Sequence, residues 1–495
     1  MLIQPDHARP RALFLCISSV AILISISLSL GTATNHQLLA ETSPISTLSS
    51  RHAPKLQAVS AQGGDSNVSQ QGCSTKDCHS EYQKPFKYPH APVKLGMCTQ
   101  CHGIAKNSTP YKKGTSHKFT MPLRDGKLCL KCHESETDQK HVHTPLQKDR
   151  CLACHAPHGS DHPALMRKKR IADTCYACHD EKFGRHDKVH APVAVGQCTA
   201  CHDPHASPNR NQLVKKGSDL CFSCHSEMEE EIKAMSVIHK PVLEDCVKCH
   251  TPHGGKSLLL LKRPVEDLCL GCHEEIKKAV KSAKVPHGAL DSKKSCLQCH
   301  DPHASNQARL LLAAPKRVCL SCHDKKLMTK DRVIRNMKEF LADNRYKHGP
   351  IREGDCGACH NAHGSPFMNI LRKDYPKKFY APFKRDTYSL CFTCHEESLV
   401  EEAQTATLTG FRNGIKNLHF VHVHRDKKGR TCRACHDVHA SNQPKHIVET
   451  VPFGKNWSYE LKFELTPSGG KCGPACHVER SYSRDDTKNL LENQR

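Results

Sequence analysis

The chain is short of the side chains from which proteins build cores. Of its 495 residues, 37% are hydrophobic and 5% are aromatic, with a single tryptophan, Trp457. So little large apolar surface does not offset the entropy of ordering a chain this long. That excludes two or three ordinary globular domains, which the length alone would allow. Two states remain: disorder, or a core made of something other than side chains. Long apolar runs are also scarce. Beyond the N-terminus, Leu258 to Leu261 is far too short to span a bilayer.

What is present instead is cysteine and histidine, 31 and 38 of them. Thirty cysteines fall in pairs, and each pair is followed at once by a histidine. Thirteen pairs have the form Cys-x-x-Cys-His: Cys98/Cys101/His102, Cys129/Cys132/His133, Cys151/Cys154/His155, Cys175/Cys178/His179, Cys198/Cys201/His202, Cys221/Cys224/His225, Cys246/Cys249/His250, Cys269/Cys272/His273, Cys296/Cys299/His300, Cys319/Cys322/His323, Cys356/Cys359/His360, Cys391/Cys394/His395 and Cys432/Cys435/His436. Two flanking motifs are stretched, Cys73/Cys78/His79 and Cys472/Cys476/His477. The remaining cysteine, Cys16, sits inside an N-terminal apolar run and is read as a passenger.

Paired cysteines at this density can mean disulfides, zinc or haem. The trailing histidine decides. Two cysteines on one turn reach the two vinyl positions at one edge of a porphyrin, and the next residue then lies under the iron. Zinc ribbons and disulfides have no need of a histidine at that position. The core is therefore expected to be haem c, about fifteen copies, covalently bound with their iron.

The motifs alternate as an array. The first type continues Cys-His-x-x-His, placing histidines at His158, His205, His253, His303, His363 and His439. The second type follows Leu or Val and continues with an acid or serine, as in Leu268-Cys269 to Glu274. Each first-type motif also has a histidine 7 to 9 residues upstream: His90, His143, His190, His239, His287, His348 and His424. The usual text is His-x-Pro-Val, and the proline is expected to hold the backbone extended. Outside the motifs 23 histidines remain, three of them in the leader (His7, His36, His52), so twenty are available for fifteen sixth-ligand positions. His117 is the fourteenth candidate, because the Cys98 motif lacks the His-x-x-His extension; His419, His422 or His446 supplies the fifteenth. The second histidine of His-x-x-His lies on the same face of its own haem and is expected to reach a neighbouring one. Two imidazoles close an iron to substrate. Residues 73 to 477 provide about 27 residues per haem, too little protein to insulate haems from one another.

The expected fold class is a multihaem cytochrome c, mostly coil with short α-helices wrapped around a haem chain and very little β. Residues 1–33 read as a signal peptide or an uncleaved anchor, with Arg9 and Arg11 ahead of an apolar stretch, and 34–70 as a flexible linker. A dense repeat of doubled motifs fills 73–325, more widely spaced motifs with insertions fill 326–485, and 486–495 is a polar tail. Short helices are expected over Ser226 to Met235, Glu274 to Ala283 and Asp324 to Asn344, and a strand over Trp457 to Leu465. The formal charge of +23 would suit an anionic surface or nucleic acid. Each haem, however, adds roughly one negative charge when ferric and two when ferrous, so the lysines are read as counter-charge to propionates, whose burial unpaired is costly. No nucleic-acid partner is expected.

The alternation of Cys-x-x-Cys-His-x-Pro-His with Leu-Cys-x-x-Cys-His-Glu, led in by His-x-Pro-Val, resembles the doubled-CXXCH multihaem cytochromes c, a family grouped with the cytochrome c3-like and decahaem conduit proteins of metal-reducing and other anaerobic bacteria. The resemblance covers residues 73 to about 485, with the Cys472 spacing as a departure. It implies bis-histidine haems in a chain, anaerobic respiration or extracellular electron transfer, and a periplasmic, outer-membrane-associated or extracellular place. Other redox proteins, such as quinol-oxidising or outer-membrane cytochromes, are the implied partners, with membrane association through the N-terminus or such a partner. A reductase of nitrite, hydroxylamine or a sulfur oxyanion is the alternative; the Cys-x-x-Cys-Lys motif such enzymes often carry is absent. A storage or filament role is a third. An electron-transfer protein, not an enzyme, is the expectation.

Overall fold

The computed structural model describes residues 73, 79–83, 86–104, 119–121, 123, 126–135, 137–257, 259–329, 332–453, 457–473 and 477–486, all within one compact unit, 62–495. The expected signal and linker, and Cys78, His117 and Cys476, lie outside the described residues. No described helix is long and apolar enough to cross a membrane.

One doubled unit shows how the sequence builds the array. Lys188–Val189 forms a two-residue strand paired antiparallel with Gly254–Gly255 of the next unit. His190 follows in extended conformation (φ −64°, ψ 135°). The spacing predicts that Pro192 keeps the backbone extended; the structure differs. Pro192 sits in the first turn of the helix Ala191–Ala194. Its fixed φ suits that turn, and no intrahelical bond needs its missing N–H. The attachment motif then forms a tight turn, Cys198–Ala200, closed by the His202 N–H donating to the Cys198 carbonyl at 3.0 Å. A short strand, Ala206–Ser207, pairs back with His141–Val142 of the preceding unit. The helix Ser218–Phe222 carries the second-type motif. Neighbouring units are thus tied by two-residue ladders, Tyr88–Pro89 with Gly159–Ser160, Val237–Ile238 with Ala304–Ser305, and Tyr346–Lys347 with Ala440–Ser441, and at one junction by a single bridge, Val285 with Ser365.

The expected helices form at Ser226–Ala234 and Glu274–Ser282. The run over Asp324 to Asn344 divides instead. Leu327–Met328 pairs with Val333–Ile334 as a hairpin, where β-branched residues favour a strand. The helix is confined to Met337–Asp343, with Asn336 as its cap accepting from the Glu339 N–H at 3.1 Å. The expected strand over Trp457 to Leu465 breaks at Lys462 (φ 44°), leaving Trp457–Glu460 paired with Thr450–Phe453 and Glu464–Leu465 in a second sheet.

Among the described residues, the clustered side-chain cores lie in the last third. The larger holds Leu371, Tyr375, Tyr388, Val400 and Val423, with Phe383, Phe392, Cys391 and Cys432 packed against it. A smaller one holds Ile447, Val451 and Leu461. The end of the array is closed by a three-stranded sheet, Glu464–Leu465, Gly469–Cys472 and Arg480–Ser483. Strand approach there needs a glycine: a Cβ on Gly469 would clash with the Tyr482 carbonyl oxygen. Gly469→Ala is therefore expected to part these strands at a cost of about 1–3 kcal/mol, read as lost hydrogen-exchange protection over Arg480–Ser483 with the earlier repeats unchanged.

Candidate functional site

Thirteen motif histidines each face a second histidine at a nearly constant separation. His90 faces His133, His143 faces His179, His190 faces His225, His239 faces His273, His287 faces His323 and His348 faces His395, with ring centroids 6.0–6.4 Å apart and planes within 20°. In each case the upstream histidine of a unit faces the second-type motif of the same unit. The His-x-x-His residues reach back one unit to a first-type motif: His158 faces His102, His205 faces His155, His253 faces His202, His303 faces His250, His363 faces His300 and His439 faces His360, at 5.9–6.2 Å. The offset between units explains why the Cys98 motif has no His-x-x-His extension: among the described residues no first-type motif precedes it. At the other end, His436 faces His419 at 6.4 Å.

The sequence pattern points to His424 for the last unit. The structure differs. The His424 ring lies against Phe383 and Phe420 at 4.5 and 4.7 Å, and its Nδ1 lies 3.2 Å from the Val400 carbonyl. His419 stands in the facing position because the helix Leu418–Val423 replaces the usual His-x-Pro-Val lead-in.

The separation has a chemical meaning. Metal–imidazole bonds of about 2 Å on either side, with about another ångström to each ring centre, put two axial imidazoles about 6 Å apart. The hydrogen bonds agree. Nδ1 of His155, His202, His250, His300, His360 and His436 each lies 2.8–2.9 Å from a carbonyl nine residues on, at Ala164, Asn211, Leu259, Arg309, Asn369 and Lys445. Donation from Nδ1–H leaves the Nε2 lone pair for iron, the usual outer-shell device at metal sites. The carbonyls are aimed by consecutive left-handed residues, Ala164 and Leu165, Asn211 and Gln212, Arg309 and Leu310, Asn369 and Ile370, Lys445 and His446, with φ between 52° and 60°. Such backbone costs on the order of 1–3 kcal/mol per residue, and its repetition beside each motif marks it as part of the site. The upstream histidines are held likewise: Nδ1 of His90, His143, His190, His239 and His287 lies 2.7–2.9 Å from the carbonyls of Pro157, Pro204, Pro252, Pro302 and Ala362. Each of these carbonyls belongs to the residue just before a His-x-x-His partner, so one ladder orients the ligands of two positions.

The cysteines bring consecutive motifs together. Hydrogen bonds join the thiols of Cys129 and Cys151, Cys175 and Cys198, Cys221 and Cys246, Cys269 and Cys296, Cys319 and Cys356, and Cys391 and Cys432. Within a unit Cys101 and Cys132, Cys154 and Cys178, Cys201 and Cys224, Cys249 and Cys269, Cys299 and Cys322, and Cys359 and Cys394 lie close enough to interact. The motifs therefore neighbour one another in chain order from Cys98 to Cys432. Apolar side chains such as Leu95, Val195 and Leu243, each about two-thirds exposed, lie just upstream of first-type motifs. They offer surface that a porphyrin face can cover.

Of the remaining residues that the sequence assigns to haem, Cys272 and Cys435 follow the pattern of their sets and His79 departs from it. Cys272 is exposed, like Cys132, Cys178, Cys224, Cys322 and Cys394, and the Cys269 thiol lies near Cys249 as the first cysteine of the second-type motif does in the other units. The backbone closes the attachment turn, with the Cys272 N–H donating to the Cys269 carbonyl at 3.1 Å. Cys435 is half-buried and is tied toward the smaller core. Its N–H donates to the Cys432 carbonyl at 3.2 Å, and its carbonyl accepts from the N–H of Val448, which packs against that core, at 2.9 Å. His79 is oriented differently from the histidines of the regular motifs. Its Nδ1 lies 3.3 Å from the Glu81 carboxylate, two residues on, and its ring lies 6.2 Å from that of Tyr82. The physical reason is the longer gap between Cys73 and Cys78. The His79 N–H donates across it to the Cys73 carbonyl at 3.1 Å, so a six-residue reach replaces the four-residue turn of a regular motif.

Sequence reasoning missed the groups that aim His419. Asn417 is fully buried and caps its helix, and the Thr409 hydroxyl lies 3.1 Å from its Nδ1. An asparagine at the start of an apolar helical run is an N-cap signal that could have found the first; nothing local reveals the second.

The pattern that defines the family described as Doubled CXXCH motif matches six stretches, 90–138, 143–184, 190–230, 239–278, 287–328 and 348–399, which together exceed half of the chain. This chain belongs to the doubled-CXXCH family. It is a multihaem c-type cytochrome, and its six matched doublings bind haem c covalently, about twelve haems with their iron. Multiheme cytochrome MtrA of Shewanella baltica (strain OS185) is 30% identical over 102 residues, covering 20% of this chain and 27% of that protein. The chain thus matches about a quarter of the length of that curated relative.

In this cytochrome burial sets the pH behaviour. Burial pulls His155, His158, His253, His303, His360, His363 and His436 below the usual histidine value, and takes His419 down to about 4. Below about pH 6.5 the unfolded chain binds protons that the folded chain refuses, so stability is present above that pH and is lost on acidification. The urea midpoint is expected to fall as pH drops from 6.5 toward 4, with the His419 segment opening within that window. A midpoint that rises on acidification would contradict the assignment of these rings as neutral.

Proposed function

We propose that this cytochrome is an electron conduit of fifteen bis-histidine haems, not an enzyme. The single observation behind the reading is the chain-order adjacency of consecutive motifs, each carrying a facing imidazole pair. Covalent attachment through the paired cysteines fixes each porphyrin edge, and the thirteen facing pairs supply both axial positions of thirteen irons. Haem supplies the one-electron chemistry; the chain orients Nε2 of each ligand, excludes exogenous ligands from the irons and holds neighbours close. The Cys73 and Cys472 motifs carry the fourteenth and fifteenth haems. His117 closes the first, opposite His79. His422 closes the last; it is depressed by burial, then by Arg430 and His477, which places His477 within electrostatic reach.

The N-terminal basic and apolar stretch supports export, and the family supports anaerobic respiration or extracellular electron transfer with other cytochromes as donor and acceptor. Similarity to a multiheme cytochrome supports an exported or periplasmic place, and outer-membrane association through a partner belongs to the same proposal. Stopped-flow mixing with one low-potential donor tests the reading. All haems reduce and reoxidise through the same entry, and nitrite, hydroxylamine and sulfite give no turnover. Catalytic consumption of any of the three would replace the conduit by a reductase.

A further inference from the structure

We infer that the haem position at Cys432 is an electron well, the site of highest reduction potential in the chain. The inference rests on the conduit reading and adds a direction to it. Three features set this position apart, and all act with the same sign.

The first is burial. Among the described residues, only Cys391 and Cys432 pack against the larger side-chain core, and the flanking Thr431 and Ala434 are each 1% exposed. Bis-imidazole iron porphyrin carries one more positive charge when ferric than when ferrous. Apolar surroundings disfavour the more charged form and so favour reduction. Cys391 shares this core, but its motif histidine, His395, is exposed, whereas His436 and His419 are both half-buried.

The second is the hydrogen bond behind His419. The upstream and first-type motif histidines with resolved Nδ1 partners in the earlier repeats use backbone carbonyls, whereas Nδ1 of His419 meets the Thr409 hydroxyl. A hydroxyl is a weaker acceptor than an amide carbonyl, so the ligand gains less basicity and ferric iron less stabilisation. The third is charge. Arg433, inside the attachment motif, lies over the rings of Tyr375 and Phe379 at 5.2 and 5.1 Å and donates to the Pro376 and Lys377 carbonyls. Its positive charge, half-buried beside the site, favours the reduced state.

An electron moving from the haem position at Cys391 to that at Cys432 oxidises the first iron and reduces the second, with no bond made or broken; an electron from a low-potential donor upstream replaces it. The chain then delivers electrons toward its C-terminal end and holds one there. The insertions that widen the motif spacing after residue 322 supply this core, which gives them a purpose beyond spacing.

A spectroelectrochemical titration of the haem-loaded protein tests the inference, with haem content and the ferric spin state measured on the same samples. The expected result is a component with the absorbance of one haem that reduces first. Arg433→Gln and Val423→Thr, which remove the charge and place a hydroxyl in the core, shift that component to lower potential and leave the rest unchanged. Tyr388→Phe removes a hydroxyl that has no partner in the core and does not lower it. Absence of a one-haem leading component, no shift in either variant, or an equal downward shift in Tyr388→Phe overturns the inference. A dominant high-spin signal in the unmodified protein instead overturns the conduit reading itself, so the two failures are distinct.

Discussion

His439→Ala is expected to open one haem, and that haem is attached 83 residues upstream, at Cys356. His439 faces His360 at 6.2 Å with planes 3° apart, the most parallel of the thirteen pairs. Removing its ring takes one axial ligand from one iron. The ferric protein gains a high-spin resonance equal to one haem, and the ferrous protein binds carbon monoxide with the same stoichiometry. Its own motif, Cys432 to His436, keeps low-spin iron. His363→Ala does the same at Cys296, and His424→Ala leaves the spin state unchanged, because that ring lies among phenylalanines. High-spin iron in the His424 variant, or none in the His439 variant, refutes the pairing. The proposed pairing also predicts directional loading: a first-type haem in the matched repeats would complete its coordination only when the following unit has folded, whereas His419 would let the last one close on its own segment.

Asn417→Ala is expected to be among the most destabilising single changes outside the histidines. The side chain is 0% exposed. Its Nδ2 donates to the carbonyls of Leu399 and Glu402 at 2.9 and 2.8 Å, and its Oδ1 accepts from the His419 N–H at 2.9 Å and the Phe420 N–H at 3.4 Å. Alanine leaves two buried carbonyls without these partners and removes the cap of the helix that carries His419. The loss is on the order of 3 kcal/mol, from the unsatisfied groups and the cap together. Urea unfolding followed in the Soret band reads it, and the same variant loosens the ligand opposite His436. A change below about 0.5 kcal/mol, the range of ordinary surface substitutions, would show that Asn417 does not organise this segment.

Much of this architecture is legible in the sequence because the chemistry is written locally. A cysteine pair and its histidine occupy one turn, and the alternation of first and second types gives the repeat. The facing histidines are legible as a set but not as pairs. Nothing local says that His90 faces His133 rather than His102; that follows from two-residue ladders between segments about 70 residues apart, such as Tyr88–Pro89 with Gly159–Ser160. The proline of His-x-Pro-Val misleads because a residue that favours extended backbone is equally at home in a first helical turn. The run over Asp324 to Asn344 misleads because Val333 and Ile334 have helical spacing yet prefer a strand. His419 displaces His424 through tertiary context, an aromatic pocket built from Phe383 and Phe420 that no periodicity encodes. The left-handed turns that aim the carbonyls are formed by Ala164, Asn211, Arg309, Asn369 and Lys445, side chains with nothing in common. Backbone geometry, not residue type, does that task.

The central claim is that every attachment motif holds an iron closed by two imidazoles. Intact mass of the mature protein, taken with the electron paramagnetic resonance spectrum of the oxidised form, tests it most directly. The account predicts the mass of the polypeptide plus fifteen haems and a spectrum of low-spin ferric iron throughout. A mass with fewer than thirteen haems, or a spectrum dominated by high-spin iron, would contradict it.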